Sequence, residues 1–254
     1  MAVRAVTTAA AVECLRRIWT TKTETATRVR GRCERVWDYA RVSGLVEGDN
    51  PFRWRGHLDK LLPKPSKVAK VSHHAAMPYA DVPAFMARLR TGDSLSRKAL
   101  EFAILTAART GEVTGATWDE FSGDVWTIPG ERMKGGRDHV VPLVPRAVAI
   151  LAGLPRNKPP FALSENAMLY LLQRQPPKGM GLPYTVHGFR SAFSDWAHET
   201  TAHPNHVIEM ALAHTIPNKA EAAYRRGSLL DKRRELMEAW ADYNTSADDL
   251  ADRL

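Results

Sequence analysis

The sequence has little of what marks secreted or membrane proteins. No uninterrupted apolar run reaches the roughly 18 residues that a membrane-spanning helix needs. Cys14 and Cys33 are the only cysteines, which is too few for a disulfide framework, and they lack the CxxC spacing of a metal or redox site. The alanine-rich start has neither the long Leu- and Val-rich segment nor the cleavage site of a signal peptide and indicates a helix. We therefore expect a protein of the reducing cytoplasm, with no membrane partner.

The sequence also lacks the usual devices for metal or nucleotide chemistry. It contains no cluster of acidic residues suited to Mg²⁺ and no glycine pattern of a P-loop. In HETTAHPNH, the residues His198, His203 and His206 approach metal-ligand spacing. Only Glu199 is at hand to complete a tetrahedral set, and Pro204 breaks the segment. The sequence predicts no metal site and no cofactor.

The positive charge is concentrated at one end of the chain. The net charge is +8, and residues 1–72 contain 15 Lys and Arg against 7 Asp and Glu, whereas residues 73–254 contain 21 of each kind. A basic first quarter is either a solvated surface or a module that binds a polyanion such as nucleic acid. Charge alone leaves both interpretations open.

A proline- and lysine-rich stretch divides the chain. LLPKPSKVAKVSHHAAMPYA, at residues 61–80, is typical of an extended linker. We expect a helical unit at residues 1–62, the linker at 63–78 and a second domain at 79–254. In the first unit, apolar residues at helical spacing predict two helices, one in AVECLRRIW and one that ends before the Gly-Asp-Asn-Pro break at residues 48–51.

The second domain changes its periodicity twice. The segments DVPAFMARLR and SLSRKALEFAILTAAR have helical patterns, and a period of two then predicts antiparallel strands at about 116–121, 124–129 and 138–144. Helical patterns return at about 145–153, 164–174, 187–200, 205–213, 218–225 and 229–246. The predicted fold class is mostly α with a small three-stranded antiparallel sheet, in two domains.

Charged residues interrupt two of these apolar helices. Arg109 ends the apolar segment EFAILTAAR and is followed by Glu112, and a buried arginine is costly unless it meets an anion. A structural ion pair between Arg109 and Glu112 is the simpler explanation. His187 and Arg190 stand one turn apart in HGFRSAFSDWAHE, where a helix-start histidine and an arginine bonded to nearby carbonyls would explain them without any function.

Two further residues, His214 and Tyr224, are candidates for chemistry beside Arg109, His187 and Arg190. His214 ends an apolar turn in ALAHTIPNKAEAAYRR, and Tyr224 follows ten residues later, where a tyrosine usually serves packing. Taken together, however, two arginines can grip phosphate oxygens in pairs, and two histidines can move protons near neutral pH. A tyrosine hydroxyl assisted by a base and a positive field can act as a nucleophile. Metal-free phosphoryl transfer from a nucleic acid backbone is the chemistry that suits these groups.

The motifs ARTGE, HGFR, LAH and AAYRR, in this order, resemble the boxes of the tyrosine recombinase, or phage-type integrase, family. The similarity is greatest to integrases of prophages and genomic islands. It covers residues 75–245, and residues 20–60 also resemble the helical core-binding domain of that group. The resemblance implies the tyrosine recombinase catalytic fold preceded by a partial helical core-binding domain.

The resemblance also implies a role for each box residue. Tyr224 would attack the scissile phosphate and form a 3′-phosphotyrosine link, leaving a free 5′-hydroxyl. Arg109 and Arg190 would clamp the non-bridging oxygens. His187 would accept and donate a proton, and His214 would hydrogen-bond the phosphate.

Two more positions match the family less strictly. Lys134, in MKGGRDHVVPL, matches the mobile lysine that protonates the leaving oxygen, although Arg132 and Arg137 are close rivals for that position. It could also be an ordinary exposed lysine of a turn. Glu112 stands where the family often has an acidic residue that braces the site.

The resemblance gives the basic first quarter a role, as a module that lies across the DNA duplex opposite the catalytic domain and contacts mainly phosphates. Family members have further N-terminal sequence, so we expect this chain to begin partway into the core-binding domain. The predicted DNA-binding residues are Arg28, Arg30, Arg32, Arg35, Arg41, Lys64, Lys67 and Lys70.

We therefore expect a site-specific integrase that breaks and rejoins double-stranded DNA at attachment sites, located in the bacterial cytoplasm at the nucleoid. The expected assembly is a homotetramer on DNA and a monomer in free solution, with DNA-bending and excisionase proteins as accessory partners. Two alternatives stay open: an idle DNA-binding remnant of an integrase, and a relaxing enzyme similar to type IB topoisomerases.

Overall fold

The computed structural model describes residues 2–68, 75–214 and 228–245. The chain forms two compact units, Met1–His73 and His74–Leu254. Helices and strands are numbered below in chain order over the described residues. The predicted fold class is confirmed, since the described residues are mostly helical and contain one small antiparallel sheet.

The first unit is built on two helices, α1 (Thr8–Trp19) and α2 (Thr23–Val42), with a short α3 (Pro65–Val68). The Thr7 hydroxyl accepts a hydrogen bond from the Ala10 N–H at 3.2 Å and so caps α1. A small core joins these helices around the buried side chains of Leu15, Trp19 and Leu58. The sequence favours an extended linker at residues 65–68, but these residues form α3.

The second unit contains eight helices among its described residues. The first three, which precede the sheet, are α4 (Val82–Arg90), α5 (Leu95–Thr106) and α6 (Thr110–Thr114). The five that follow it are α7 (Pro145–Ala152), α8 (Ala167–Gln173), α9 (Gly188–Thr200), α10 (Asn205–Ala211) and α11 (Leu230–Tyr243). The helix predicted at 218–225 lies outside the described residues.

The sheet is smaller than the sequence predicts. Its strands are β1 (Phe121–Ser122), β2 (Val125–Ile128) and β3 (His139–Pro142), in the order β1-β2-β3 and antiparallel throughout. The register pairs Phe121 with Trp126 and Ile128 with His139. The predicted first strand at 116–121 is mostly wrong, because Trp118–Glu120 forms a 3-10 turn that delays the start of β1.

A continuous apolar core lies beneath the sheet and the helices of the second unit. α5 runs through it, since all of its residues from Ala99 to Thr106 are buried. On α9, Phe193 and Trp196 are buried and pack against Trp240 of α11 with ring centroids 5.5 and 4.9 Å away. The Trp240 indole N–H donates to the Ile104 carbonyl at 2.9 Å, so the described part of the C-terminal helix packs on its own chain.

The glycine of the HGFR motif is required by a close backbone contact. A Cβ at Gly188 would lie 2.4 Å from the Ala75 carbonyl oxygen and 2.8 Å from the Ala76 Cα. The Thr185 N–H donates to the same Ala75 oxygen at 3.1 Å, which holds residues 75–76 against the start of α9. This contact fixes the end of the helix that carries Arg190.

Candidate active site

Arg109 begins a helix instead of ending one. α5 stops at Thr106 because Ala107 adopts a left-handed backbone conformation with φ of 48°, and Arg109 is the residue that precedes the short α6. Glu112, in the first turn of α6, accepts the Arg109 backbone N–H at 2.8 Å and its Nη1 at 2.6 Å. The ion pair expected from the sequence is present, and it orients the Arg109 guanidinium, which is 30% exposed.

Arg190 lies deeper and is bound by main-chain oxygens. It is only 5% exposed, its Nη2 donates to the Leu212 carbonyl at 2.6 Å, and its Nη1 donates to the Ala107 carbonyl. Nη2 of Arg109 reaches the same Leu212 oxygen at 3.4 Å. The two guanidiniums therefore share one carbonyl, at the point where α10 ends, and the arginines predicted to act together do lie together.

The site carries more positive than negative charge. Burial lowers the pKa of Arg190 to about 10, and the neighbouring Arg109 contributes in the same direction. Burial alone would raise the pKa of Glu112, but the hydrogen bonds and charge of Arg109 outweigh it, so this pKa is lowered. At neutral pH two guanidiniums thus face one carboxylate, and the excess charge favours an anion.

The two predicted histidines flank this pair. His187 is exposed and immediately precedes α9, and its carbonyl accepts the Arg190 backbone N–H at 3.0 Å. His214 follows α10 and directs Nδ1 to a Glu209 carboxylate oxygen at 2.9 Å. Because a carboxylate only accepts, this contact places the Nδ1 proton and leaves Nε2 as the nitrogen that can accept one.

For two predicted catalytic residues, Lys134 and Tyr224, the structure describes no contact with the arginine pair. Lys134 is exposed in the turn between β2 and β3 and forms no hydrogen bond with another described residue. Tyr224 lies outside the described residues, so its role stays a prediction. Of the rivals of Lys134, Arg132 is engaged elsewhere, with Nη2 donating to the Glu112 carbonyl at 2.6 Å, and Arg137 is exposed.

Two further basic residues, which belong to none of the motifs, lie beside the site in the structure. His139, at the start of β3, has its pKa lowered to about 4 by burial first and then by the charge of Arg233; Arg190 and Arg109 also lower this pKa, and Glu112 opposes them. Arg233 on α11 is 2% exposed, and its Nε donates to the Ser228 carbonyl at 2.9 Å. Burial lowers the pKa of Arg233 to about 10.

Both of these residues left a signal in the sequence. His139 is two positions before the buried Val141, so the alternation of a strand places it on the inner face. Arg233 precedes the buried Leu236 and Met237 by three and four residues, which places it on the buried stripe of α11. Reading each pattern for polar residues on the apolar face would have found them.

The predicted DNA-binding residues differ in exposure. Arg30 is the least available, because Nη1 donates to the Phe52 carbonyl at 2.8 Å and to Glu34 at 2.6 Å, and its side chain is 14% exposed. Lys70 lies outside the described residues. The members that are at least partly exposed are Arg28, Arg32, Arg35, Arg41, Lys64 and Lys67.

The HETTAHPNH segment serves packing between α9 and α10. His198 Nε2 lies 2.7 Å from the Asn205 side-chain oxygen, and Nδ1 lies 2.7 Å from the Ser194 carbonyl. These two hydrogen bonds, that to Asn205 first, raise the pKa of His198. Across residues 2–68, 75–214 and 228–245, no group of three or more His, Cys, Asp or Glu is arranged to hold a metal ion. Within the same ranges, no helix has the length and apolar character to span a membrane.

Comparisons with known proteins agree with the fold and with the motifs. A family model described as the phage integrase central domain matches residues 1–57. Prophage integrase IntA of Escherichia coli (strain K12) is 33% identical over 241 residues, which cover 89% of this chain and 55% of IntA. This chain therefore spans about half the length of that relative.

Solved structures of integrases share the fold. A λ integrase dimer bound to a COC′ core site superposes with a TM-score of 0.55 at 16% identity, covering 89% of this chain and 66% of that one. A λ integrase tetramer bound to a Holliday junction gives a TM-score of 0.58 at 15% identity, covering 86% of this chain and 64% of that one. With matching motifs, relatives and fold, the chain belongs to the tyrosine recombinase family, in its phage-integrase group.

Proposed function

We propose that the chain is a site-specific DNA recombinase that breaks and rejoins DNA through a 3′-phosphotyrosine intermediate, for the integration or excision of a prophage or genomic island. The observation that carries the proposal is the pair of guanidiniums of Arg109 and Arg190, which share the Leu212 carbonyl, with Arg109 also bound to the carboxylate of Glu112. Such a pair fits the two non-bridging oxygens of one phosphodiester.

In the first step, the hydroxyl oxygen of Tyr224 attacks the scissile phosphorus and gives its proton to His187. The bond between phosphorus and the 5′ oxygen breaks, and Lys134 gives a proton to that oxygen, which leaves as a free hydroxyl. Arg109 and Arg190 bind the non-bridging oxygens, where negative charge develops in the transition state, and His214 donates a hydrogen bond to them from Nε2 when its ring carries a proton on both nitrogens. Rejoining reverses each of these transfers.

The positions of the arginines suit a phosphate clamp. Arg190 is held by two carbonyls and Arg109 by Glu112, so neither guanidinium has to reorganise much when charge develops. Arginine supplies positive charge and does not activate a water molecule, whereas a bound metal ion would activate one. Arginines therefore suit a phosphotyrosine ester that must not be hydrolysed before the DNA strand is rejoined.

The same proposal covers the partners. The λ integrase structures include a dimer on a core site and a tetramer on a Holliday junction. We infer a homotetramer on double-stranded attachment-site DNA for this chain as well, a monomer free in solution, and DNA-bending and excisionase proteins as accessory partners. Since chromosomal DNA is the substrate, the enzyme acts in the bacterial cytoplasm at the nucleoid.

A trapping assay tests the proposal. An oligonucleotide that carries the attachment core and a nick next to the cleavage position loses a short fragment after attack, so that religation is prevented and the adduct accumulates. The wild-type chain is expected to become covalently linked to the DNA, and the linked peptide is expected to contain Tyr224. Tyr224→Phe should bind the same DNA with similar affinity and form no adduct.

The outcomes separate the proposal from its alternatives. DNA binding without any adduct on a cognate site would identify an idle remnant and contradict the proposal. An adduct that persists in Tyr224→Phe would contradict the assignment of the nucleophile. Relaxation of supercoiled DNA lacking the attachment core, at a rate similar to that with the core, would favour the topoisomerase-like alternative.

A further inference from the structure

We propose that Arg132 is a positioning residue, which fixes the hairpin that carries Lys134 against the helix that carries Arg109. The inference rests on the proposed function, because it concerns the delivery of a proton by Lys134. Arg132 lies two residues before Lys134, in the turn that leads out of β2. Its guanidinium contacts both the backbone of α6 and a buried carboxylate next to the sheet.

One side of the Arg132 guanidinium binds α6. Nη2 donates to the Glu112 carbonyl at 2.6 Å and to the Gly111 carbonyl at 3.2 Å. A Cβ at Gly115 would lie 2.9 Å from this Nη2, so the side chain lies directly against the backbone at the end of α6. Arg132 thus satisfies carbonyls of the helix whose first turn orients Arg109.

The other side of the guanidinium binds a buried carboxylate. Nη1 of Arg132 donates to Glu120, whose side chain is 4% exposed, and the second oxygen of Glu120 accepts the Trp126 indole N–H at 2.8 Å. Trp126 is fully buried in β2. Because a buried carboxylate is costly when unpaired, Glu120 holds Arg132 in one orientation between β2 and α6.

The base of the hairpin is closed, and its tip is open. The Gly130 N–H donates to the Asp138 carboxylate at 2.8 Å, and a Cβ at Gly130 would lie 2.9 Å from the Gly136 carbonyl. Met133 is 9% exposed, whereas residues 134–138 are exposed. Lys134 is therefore the first residue of the short exposed tip, and it directly follows Arg132, which is bound on both sides, and Met133, which is buried.

Through these contacts, the position of Lys134 is set relative to α6. α6 is fixed by the bonds between Arg109 and Glu112 and by Val113, which is fully buried. The hairpin tip, in contrast, faces solvent. Arg132 therefore keeps Lys134 at a fixed position relative to Arg109. Removing the Arg132 side chain is expected to impair proton delivery to the leaving oxygen more than binding of the phosphate.

A substrate that needs no proton donor tests this relation. When sulfur replaces the 5′ bridging oxygen, the leaving group is a thiolate, whose parent thiol has a pKa of about 8.5 when it resembles cysteine, so departure requires no acid. Rates of adduct formation on matched oxygen and sulfur substrates are compared for the wild type, Arg132→Ala, Lys134→Ala and the double variant. Arg146→Ala, which removes an ion pair with Glu101 elsewhere in the same unit, is the control.

Arg132→Ala is expected to cleave the oxygen substrate at least tenfold more slowly than the wild type and the sulfur substrate within about threefold of it. The double variant should match Lys134→Ala within about twofold, because Arg132 acts through the lysine. Arg146→Ala should keep the wild-type ratio of the two rates. If Arg132→Ala unfolds, Arg132→Lys is used, since it keeps the charge but cannot span the three acceptors.

Two outcomes would overturn the inference. Equal losses on both substrates would show that Arg132 supports the fold or the phosphate clamp only. A double variant that multiplies the two single losses would show that Arg132 does not act through Lys134. Both results leave the proposed function intact, whereas a wild-type chain that forms no adduct on either substrate would overturn both proposals.

Discussion

Single residues at the candidate site are held by contacts that the sequence only partly reveals. The motifs identify Arg109, Arg190 and His214, and the structure brings the first two onto the Leu212 carbonyl, two residues before the third. Arg132 and His139 escape this approach, because one is a turn arginine and the other a strand histidine. Their importance follows from neighbours that are distant in sequence, such as Glu112 for Arg132.

The pKa of His139 predicts a change of stability with pH. Burial holds this pKa at about 4, and Arg233, Glu112, Arg190 and Arg109 are the charged groups that act on the ring. The unfolded chain takes up the proton near pH 6.5 and the folded chain only near pH 4. The neutral imidazole therefore contributes stability that is fully present above pH 6.5 and is lost as the pH falls towards 4.

His139→Asn is expected to remove up to about 3 kcal/mol of this pH dependence, as follows from a shift of about two and a half units. The measurement is the free energy of unfolding by denaturant at pH 7.5, 6, 5 and 4, for the wild type and the variant. The difference between the two proteins should change across this range in favour of the variant at low pH. A constant difference would contradict the assigned pKa.

At the scale of helices and strands, the sequence predicts the existence of elements better than their ends. The described helices from α7 to α11 fall within the predicted ranges to within a few residues. α6 is not predicted because it has only five residues, and the sequence therefore assigns Arg109 to the end of α5. The left-handed backbone at Ala107 separates the two helices, and alanine gives no sequence signal of such a turn.

The packing of three helices depends on one buried carboxylate. Glu101 on α5 is 3% exposed and accepts Nε of Arg90 at 2.7 Å, from α4, and two donors of Arg146, from α7, at 2.8 and 2.9 Å. Burial would raise the pKa of Glu101, but the hydrogen bonds of Arg146 and Arg90 outweigh it, and the pKa is lowered. The carboxylate therefore stays charged and joins α4 and α7 to α5.

Glu101→Gln is expected to lower the free energy of unfolding by about 2–4 kcal/mol, because two arginines lose their common partner. Glu238→Gln, at an exposed position of α11, is the matched control and should change stability by less than about 0.5 kcal/mol. Chemical denaturation at pH 7 measures both. Similar values for the two variants would show that the Glu101 network does not stabilise the fold.

At the scale of the whole molecule, the excess positive charge lies within the first compact unit. The excess of Lys and Arg lies in residues 1–72, and the first compact unit ends at His73. Composition shows where the excess charge lies, since charge counts need no structure. It could not predict which cations are available, because Arg30 is occupied by Glu34 and Phe52 whereas Arg32 and Arg35 are more open to solvent.

The affinity of the chain for its DNA is expected to fall steeply with salt. Each neutralised phosphate contributes about −0.9 to the slope of log K against log salt concentration. Replacing both Arg32 and Arg35 by Gln should make the slope less negative by about 1.8 if each contacts a phosphate. Lys232→Gln, at an exposed position of α11 in the second unit, should leave the slope unchanged.

Fluorescence anisotropy measures these slopes, with labelled core-site duplex at salt concentrations between 50 and 300 mM. The wild type, the double variant and the Lys232 control are titrated under the same conditions. An unchanged slope in the double variant would show that this face of α2 does not contact the DNA backbone.

If the arginine pair acts by neutralising one phosphate, a substrate whose scissile linkage is uncharged should depend much less on Arg109. The rate of adduct formation by Arg109→Ala is measured on a normal core site and on one whose scissile phosphate is replaced by either isomer of a methylphosphonate, with Arg146→Ala as control. We predict that Arg109→Ala is at least a hundredfold slower than the wild type on the normal site and within about tenfold of it on one methylphosphonate isomer. A loss of equal size on the charged and on both neutral substrates would show that Arg109 does not act by neutralising the phosphate.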